Sequence, residues 1–381
     1  MQIWTTFSPQ KVCWELTTVQ NKGKGGTSDW MSHQKIIEES LLLLKQYGIV
    51  GIRLVIFPNE LTKDGKSFNW MPLDAILALC AKHKLLVDLC IGPFQYPHYP
   101  GIYLPEKVLS HLSSRATNGS RGILSPQAAL LKRSLHYAGA PVEMTTVERI
   151  DDNHKLNEYG LKFLEKQLKR YGSDKRIHGF HFANEWPDKQ RIAGAEDIKG
   201  EVSEKFMLTA VTLIRKMTKK PIFMNTNIDA ADKNTLFDTF KNIFASLDKQ
   251  GRLGFDIYPS QETWKHAPLQ KIRRLFEAYK ASFISACHAF APCEIYFAEV
   301  EAQPWGNGRS WYKIIKSEIN PEEQILTYSR HSLKETWDKH ISGTPCNTVS
   351  LWGSDFWLSA HAMGVKWPMN VVGAQNFVPV R

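Results

Sequence analysis

The sequence lacks the features that mark membrane, secreted or disulfide-bonded proteins. No apolar run in its 381 residues approaches the length of a membrane-spanning helix. The opening stretch, MQIWTTFSPQ, has no basic region followed by an apolar block, so we expect no secretion signal and a cytoplasmic protein. The 6 cysteines are scattered and form no CxxC pair. This favours buried free thiols in a reducing compartment over a disulfide set or a zinc site.

The basic charge of the chain does not indicate a nucleic-acid-binding protein. The net charge is +10 and the isoelectric point is about 9.1. Part of this charge recurs at helical spacing, which is typical of a solvated helix face, in Lys162, Lys166, Lys169, Arg170, Lys175 and Arg176. We predict no nucleic-acid partner and no membrane partner, while an acidic glycan or cell surface stays open as a partner.

Short apolar runs alternate with amphipathic stretches along the whole chain. The runs are bounded by glycine, proline and polar residues, as buried strands are. Eight strands are predicted, at residues 2–7, 51–57, 85–91, 177–183, 221–227, 253–258, 294–300 and 348–352. Eight strands that alternate with helices imply an α/β protein with a closed (β/α)8 TIM barrel, forming one domain over residues 1–381. The main alternative is an open doubly wound sheet, but no glycine-rich phosphate-binding turn follows the first strand.

Helices are predicted between most of these strands, at residues 30–47, 72–83, 157–171, 205–217, 237–247, 269–287 and 322–340. Residues 94–152 interrupt the alternation after the third strand, and we predict a long irregular loop or insertion there. Connections of this length are usually functional or inserted. The loop could close one end of a cleft or simply cover the barrel.

Polar and aromatic side chains gather where the predicted strands end. The carboxyl ends of the strands form the active face of a (β/α)8 barrel. The fourth strand is apolar and ends on Asn184 and Glu185, before Pro187 stops it. A carboxylate there stabilises a core poorly but is well placed to meet a polar ligand. The other strands add to this face Arg53, Gln95, Tyr96, His98, Trp186, Asp256, Tyr258, Glu299, Glu301, Trp305, Trp352, Asp355 and Trp357.

Paired carboxylates beside aromatic rings indicate carbohydrate chemistry, because the rings stack on sugars and the carboxylates can cleave the bond between two sugars. The motifs resemble those of the retaining β-glycoside hydrolases of clan A, the barrel enzymes that include the family 5 cellulases and mannanases and the family 42 β-galactosidases. The resemblance covers nearly the whole chain. It is carried by GIRL at 51–54, GKSFNWMPLD at 65–74, Asn184-Glu185, DIYP at 256–259, FAE at 297–299 and LWG at 351–353.

Within the clan, the chain looks closest to uncharacterised bacterial cellulase-like proteins that carry an E-x-Q-A-E-P-W run after the seventh strand. This sequence has EVEAQPW at 299–305, with Gln and Glu exchanged. It also has Ala298 where Thr is usual, and Trp186 where Pro is common after the acid/base. These departures bear on the choice of substrate more than on the catalytic pair.

The resemblance implies hydrolysis of β-glycosidic bonds in a β-glucan, β-mannan or β-galactoside by double displacement. Glu299 would attack the anomeric carbon, while Glu185 would protonate the leaving oxygen and then deprotonate the incoming water. Arg53 and Tyr258 would hold Glu299 charged and oriented, and Asn184 would bind the sugar's 2-hydroxyl. Further substrate contacts are expected from Glu301, Trp186, Trp305 and Trp352. The expected partner is a carbohydrate, with no cofactor.

Several of these assignments have alternatives. Glu301 faces the same side of an ideal strand as Glu299 and competes with it as nucleophile. Arg53 could be a structural ion-pair partner, and the aromatic residues could pack in the core instead of binding sugar. His178 and His181 have spacing that resembles a metal motif, but three residues apart on a strand they face opposite sides, so no metal site is predicted. For the whole protein, the alternatives are a barrel that binds glycans without hydrolysing them and a metal-dependent hydrolase.

Overall fold

The chain folds around an eight-stranded parallel barrel. The computed structural model describes residues 2–92, 94, 96–97, 101–109, 146–149, 152–186, 189–193, 195–227, 243, 246, 251–257, 294–301, 303, 310–317, 348–366 and 368–370. In these residues the strands are β1 (Gln2–Phe7), β2 (Gly51–Leu54), β3 (Leu86–Ile91), β4 (Gly101–Ile102), β5 (Thr146–Arg149), β6 (Gly179–Phe182), β7 (Gln190–Ile192), β8 (Ala195–Glu201), β9 (Ile222–Asn227), β10 (Gly251–Ile257), β11 (Glu294–Glu301) and β12 (Thr348–Trp352).

Eight of these strands close the barrel in the order β1–β12–β11–β10–β9–β6–β3–β2. Every neighbouring pair in this ring is parallel. The predicted (β/α)8 barrel is therefore confirmed, and its strands lie within a few residues of the predicted positions.

Helices connect the barrel strands. They are α1 (Pro9–Gln20), α2 (Gln34–Gln46), α3 (Pro58–Leu61), α4 (Met71–Lys82), α5 (Glu106–Leu109), α6 (His154–Tyr171), α7 (Glu204–Met217), α8 (Trp311–Ser317) and α9 (Ser354–Ala362). The predictions at 72–83, 157–171 and 205–217 are confirmed, and the one at 30–47 divides into a 3-10 turn, Trp30–His33, and α2. The predictions at 237–247, 269–287 and 322–340 fall mainly or wholly outside the described residues. Nowhere in the described part of the chain does a helix combine the length and the apolar character needed to cross a lipid bilayer.

Two helices, α1 and α9, were not predicted from the sequence; they follow the first and last barrel strands. The buried face of α1 includes Glu15, Thr17 and Thr18, so its apolar periodicity is weak. Nearly all of α9 is buried, and a helix without a polar face shows no amphipathic pattern.

Capping residues and an apolar stripe explain how α6 and α7 cover the barrel. The side chain of Asn153 accepts hydrogen bonds from the backbone N–H groups of Lys155 and Leu156, at 3.1 and 3.3 Å. Ser203 Oγ accepts one from the N–H of Phe206 at 3.2 Å and caps α7 in the same way. Buried residues of α6 recur every three or four positions and join the main core, among them Leu156, Phe163, Leu164, Leu168 and Tyr171.

Aromatic rings packed against glycines fill the lower half of the barrel interior, which is the half toward the amino ends of the strands. A Cβ on Gly51 would lie 2.5 Å from the ring of Trp4, and one on Gly179 would lie 2.5 Å from the ring of Phe223. Gly254 stands in the same relation to Tyr296, at 2.7 Å. No side chain larger than hydrogen fits at these glycines without displacing a ring. The aromatic residues therefore close the barrel below the polar side chains in its interior.

A β-bulge in β11 decides which of its side chains face the barrel interior. Phe255 and Asp256 of β10 are consecutive, but they pair with Phe297 and Glu299, so Ala298 is the extra residue. In an unbulged strand, Tyr296 and Glu299 would face opposite sides. The bulge brings both into the interior, with Glu299 beside Asp256.

A second, smaller sheet is built from the segments that follow β3 and β6. Its strand order is β4–β7–β8–β5, with β7 and β8 antiparallel and the outer pairs parallel. Residues 94–152 were predicted to be irregular, yet their described parts include β4, α5 and β5. This sheet was not predicted from the sequence, because its short strands carry no clear alternation of apolar and polar residues.

A buried acid network joins α1, α8 and α9. Glu15 accepts a hydrogen bond from the backbone N–H of Trp311 at 3.2 Å, and the indole N–H of Trp311 donates to Asp355 at 2.6 Å. Lys11 Nζ lies 2.9 Å from Asp355 and 5.8 Å from the ring centre of Trp352. Asp355, which was expected on the active face, therefore belongs to this network. Burial, then the charge of Asp355, raises the pKa of Glu15 to about 8, against the opposing effects of Lys11 and Trp311.

We predict that Glu15→Gln stabilises the protein at neutral and alkaline pH. Between the ordinary pKa of 4.5 and the folded value of about 8, the folded protein keeps a proton that the unfolded chain has released. Stability is thus lost as pH rises across this window, by about 1.4 kcal/mol per pH unit at most. Thermal unfolding of both proteins between pH 4.5 and 8.5 should show a gap that widens with pH.

The exposed Glu39 on α2 provides the control. Glu39→Gln should shift the unfolding temperature little and without this pH trend. A gap between Glu15→Gln and the wild type that stays constant with pH would contradict the assignment.

Candidate active site

Arg53 lies at the centre of the polar cluster above the aromatic layer. Its Nε and Nη2 atoms donate to Thr6 Oγ1 at 2.9 and 2.6 Å. Nη2 also forms an ion pair with Glu299 Oε1, and Nη1 lies 3.4 Å from Asn184 Oδ1. All four residues are buried. The guanidinium thus connects β1, β2, β11 and the turn after β6.

The electrostatics of this pair keep Arg53 positively charged. Burial lowers the pKa of the guanidinium, but the acidic groups around it, Glu299 first among them, together outweigh burial and raise the pKa above its ordinary value. Arg53 therefore balances one of the acidic charges around it.

His181 accepts from the same guanidinium. Its Nε2 lies 3.4 Å from Arg53 Nη1. Burial, followed by the charge of Arg53, lowers the pKa of His181 well below its ordinary value. The imidazole is therefore neutral at physiological pH and has a free lone pair to accept with. His178 lies apart from it, with Nδ1 2.9 Å from Asp88 Oδ1, so the two histidines do not form a joint site.

Three acidic side chains meet beside Arg53. One oxygen atom each of Glu185, Asp256 and Glu299 lies within 4.8 Å of the others. Oxygens this close could also share a cation, but the guanidinium of Arg53 already pairs with Glu299 and would repel one. We assign no metal here, and the expectation of no metal and no cofactor stays a prediction.

Burial favours the protonated form of Asp256 over its ionised form. Its Oδ2 accepts from Asn225 Nδ2 at 2.6 Å, and its side chain is 1% exposed. Burial raises the pKa of Asp256 well above its ordinary value, the charges of Glu299 and Glu185 raise it further, and Arg53 opposes them. A proton on Asp256 reduces the charge repulsion within the cluster.

A sharp backbone turn presents Glu185 to the cluster. Ala183 has φ of 60° and Glu185 has φ of 53°, both in the left-handed region that non-glycine residues rarely adopt. The half-buried carboxylate of Glu185 accepts from Gln190 Nε2 of β7 at 3.1 Å. Unusual backbone angles of this kind persist where the surrounding structure enforces them, often at functional sites.

The structure brings together four of the residues expected from the sequence, which are Arg53, Asn184, Glu185 and Glu299. Trp352 is half-buried where β12 ends. Tyr258 and Trp305 lie outside the described residues. Glu301 is described only in its backbone, which pairs with Trp352.

Two tryptophans expected near the substrate belong to the core instead. Trp186 is 1% exposed, and its indole N–H donates to the carbonyl of Val202 at 2.8 Å. Trp357 on α9 is fully buried in the main core. Neither ring has a free face for a sugar, so the prediction of Trp186 as a substrate contact is wrong in this structure. The turn after β6 points its indole inward, which the sequence pattern does not reveal.

Five residues of the cluster were not predicted as site residues: Thr6, His181, Asn225, Asp256 and Gln190. The first four are polar side chains within or at the ends of apolar strands, which is a usable signal. Asp256 was noted at a strand end, but nothing in the sequence indicated that it would stay protonated. Gln190 gave no signal, because its strand is short and its partner strand β4 is remote in sequence.

Comparisons with known proteins identify the fold of the chain. No protein-family model matches the chain, and no curated protein matches its sequence. GH5_18 from Streptomyces cattleya, solved in complex with GlcNAc, is 11% identical with a TM-score of 0.55, and the match covers 99% of this chain and 81% of that one.

Two β-galactosidases are similar in the same way. The one from the Antarctic haloarchaeon Halorubrum lacusprofundi is 12% identical with a TM-score of 0.53, covering 96% of this chain and 58% of that one. The one from the psychrophilic Marinomonas ef1 is 13% identical with a TM-score of 0.52, covering 92% and 54%. The chain thus spans little more than half the length of these β-galactosidases. The shared feature is the (β/α)8 barrel, which confirms the fold implied by the family resemblance.

We predict that Arg53→Met destabilises the protein by about 3–5 kcal/mol, because it leaves Glu299 buried and unpaired. Adding Glu299→Gln should recover part of the loss, since the amide carries no charge. Chemical denaturation of the single and double variants measures both effects.

Arg170→Met is the matched control, since Arg170 pairs with Asp74 at the surface. It should cost less than about 1 kcal/mol. Equal losses at the two arginines would show that the Arg53 pair has no special role.

We predict that Asp256→Asn gains stability relative to the wild type as pH rises. The folded pKa of Asp256 lies well above 3.8. Below pH 3.8 the side chain is protonated in both the folded and the unfolded state, so it adds no pH-dependent cost, and above pH 3.8 the cost to stability grows with pH. Thermal unfolding should therefore give similar midpoints for both proteins near pH 4 and a higher midpoint for the variant at pH 7.

Asp64→Asn should behave in the opposite way. Backbone N–H groups of Ser67 and Lys66 lower the pKa of Asp64 to about 2, so its carboxylate stabilises the fold above pH 3.8 and the variant should be less stable there. Loss of stability in Asp256→Asn at neutral pH would show that Asp256 is ionised.

Proposed function

We propose that this protein is a retaining glycoside hydrolase that cleaves β-glycosidic bonds by double displacement. The proximity of the Glu185 and Glu299 carboxylates, with oxygens within 4.8 Å of each other, carries the proposal. Retaining enzymes hold their two carboxyl groups about 5–5.5 Å apart, whereas inverting enzymes need about 6.5–9.5 Å to admit a water molecule between them.

Glu299 is the proposed nucleophile. Its ion pair with Arg53 fixes the carboxylate at the end of β11. In the first step a Glu299 oxygen bonds to the anomeric carbon as the bond to the leaving oxygen breaks. The leaving oxygen takes a proton from Glu185, which yields a free alcohol and a covalent glycosyl-enzyme.

Glu185 is the proposed acid and base. It is half-buried, so a water molecule can reach it once the leaving group has departed. In the second step Glu185 takes a proton from water while the water oxygen bonds to the anomeric carbon. The bond to Glu299 breaks, and the sugar is released with its original anomeric configuration.

Asn184 is the proposed contact for the sugar's 2-hydroxyl. The guanidinium of Arg53 can only donate hydrogen bonds, so the Asn184 atom facing it is the amide oxygen. The amide N–H₂ group is then directed elsewhere and can bind a hydroxyl. Such contacts strengthen in the transition state. Trp352, which is half-buried at the end of β12, is the described candidate for stacking on a sugar.

A carbohydrate is the proposed substrate, in the class of β-linked glucans, mannans or galactosides. The motif resemblance supports this class. The names of the similar structures agree with it, since they include β-galactosidases and a GH5_18 protein bound to Manb1-4GlcNAc.

Hydrolysis of a panel of aryl β-glycosides, soluble β-glucans and β-mannans tests the proposal. We expect activity in the wild type and losses of orders of magnitude in Glu185→Gln and Glu299→Gln. Glu301→Gln tests the competing nucleophile and should lose far less activity than Glu299→Gln. A 2-fluoro glycoside of the active sugar should label Glu299, as identified by peptide mass spectrometry.

Other outcomes favour the alternatives. Retention of activity in Glu299→Gln and its loss in Glu301→Gln would make Glu301 the nucleophile. Activity that a chelator abolishes would favour the metal-dependent hydrolase. Glycan binding without hydrolysis across the panel would favour a binding barrel.

A further inference from the structure

Gln190 contacts the proposed acid/base from outside the barrel. Its Nε2 lies 3.1 Å from Glu185 Oε2. Gln190 begins β7, which belongs to the small sheet. The carboxylate therefore extends from the barrel turn after β6, but one of its hydrogen-bond partners comes from the sheet built by the two inserted segments.

The small sheet holds Gln190 in place through β4. Gly101 has φ of 100°, and a Cβ there would lie 2.5 Å from Gln190 Oε1 and 2.9 Å from Gln190 Cβ. The side chain of Gln190 thus rests directly on the backbone of Gly101. The N–H of Ala193 donates to the carbonyl of Ile102 at 2.8 Å, which fixes β7 against β4.

We propose that Gln190 is a positioning residue for Glu185, and that the β4–β7 edge of the small sheet sets the orientation of the acid/base. This inference rests on the proposed function. An amide N–H stabilises the ionised carboxylate more than the protonated acid.

Other groups act on the same carboxylate. Glu299 on β11 and Asp256 on β10 face Glu185, and any negative charge on them favours its protonated form. Arg53 on β2 opposes them, and His181 on β6 is neutral. Because none of these groups is altered at position 190, a change there isolates the contribution of the small sheet.

The pH dependence of kcat/KM in Gln190→Leu and Gln190→Glu tests the proposal. Its alkaline limb reports the acid/base of the free enzyme. Loss of the amide donor should move this limb upward by about one pH unit in Gln190→Leu, and the added charge of Gln190→Glu should move it further. We expect kcat to fall about tenfold while KM changes little.

Two further variants separate positioning from folding. Gly101→Ala does not touch Glu185, but it displaces Gln190 and should reproduce the shift of the Leu variant. Lys189→Met, which breaks a surface pair with Glu201, should leave the limb in place. If Gly101→Ala fails to fold, the two Gln190 variants decide alone.

A readout without hydrolysis keeps the two proposals distinguishable. The carboxyl carbon of Glu185 can be titrated by NMR in protein labelled with ¹³C-glutamate and assigned by its loss in Glu185→Gln. If Gln190→Leu moves this titration upward while the wild type hydrolyses nothing, the positioning role stands and the proposed function falls. If the enzyme is active and neither the limb nor the titration moves, the positioning role is overturned.

Discussion

The ion pair between Arg53 and Glu299 is the interaction on which the polar half of the barrel depends. Burying two charges costs more free energy than their attraction returns unless further hydrogen bonds satisfy them. Thr6 and Asn184 supply those bonds. Thr6 lies on β1, and Asn184 lies in the turn after β6. The members of the pair are 246 residues apart in the chain, so the pair requires the tertiary structure that brings β2 and β11 together.

Along the barrel axis, the side chains that pack the interior and the polar side chains of the candidate site lie at different levels. Trp4, Phe223 and Tyr296 fill the lower interior opposite glycines, and the charged residues lie above them. Burial of the polar residues costs free energy. The apolar contacts of the aromatic layer and the outer helices offset this cost and stabilise the domain. The bulge at Ala298 links the two levels, since it places Tyr296 in the lower one and Glu299 in the upper one on the same strand.

The site residues that could be predicted from the sequence are those that interrupt or end an apolar strand. Arg53, Glu185 and Glu299 are charges that interrupt or end apolar runs, and the rule that strand ends form the active face placed them together. Which side chains of β11 face the barrel interior was not predictable, because a bulge depends on the register with two neighbouring strands. The direction of Trp186 was not predictable either, since a turn residue can point inward or outward. The role of Gln190 could not be predicted, because it depends on a sheet assembled from segments that are remote in sequence.

The left-handed backbone at Ala183 and Glu185 has a consequence for engineering. Each such conformation costs about 1 kcal/mol or more for a residue with a side chain, and the rest of the fold sustains it. Glycine at position 183 would remove that cost and would look like an improvement in any selection for heat resistance. It would also free the turn that holds the acid at a fixed angle to its neighbours. Thermostability and precision are thus opposed at one backbone position, and a search that rewards only the first would erode the second.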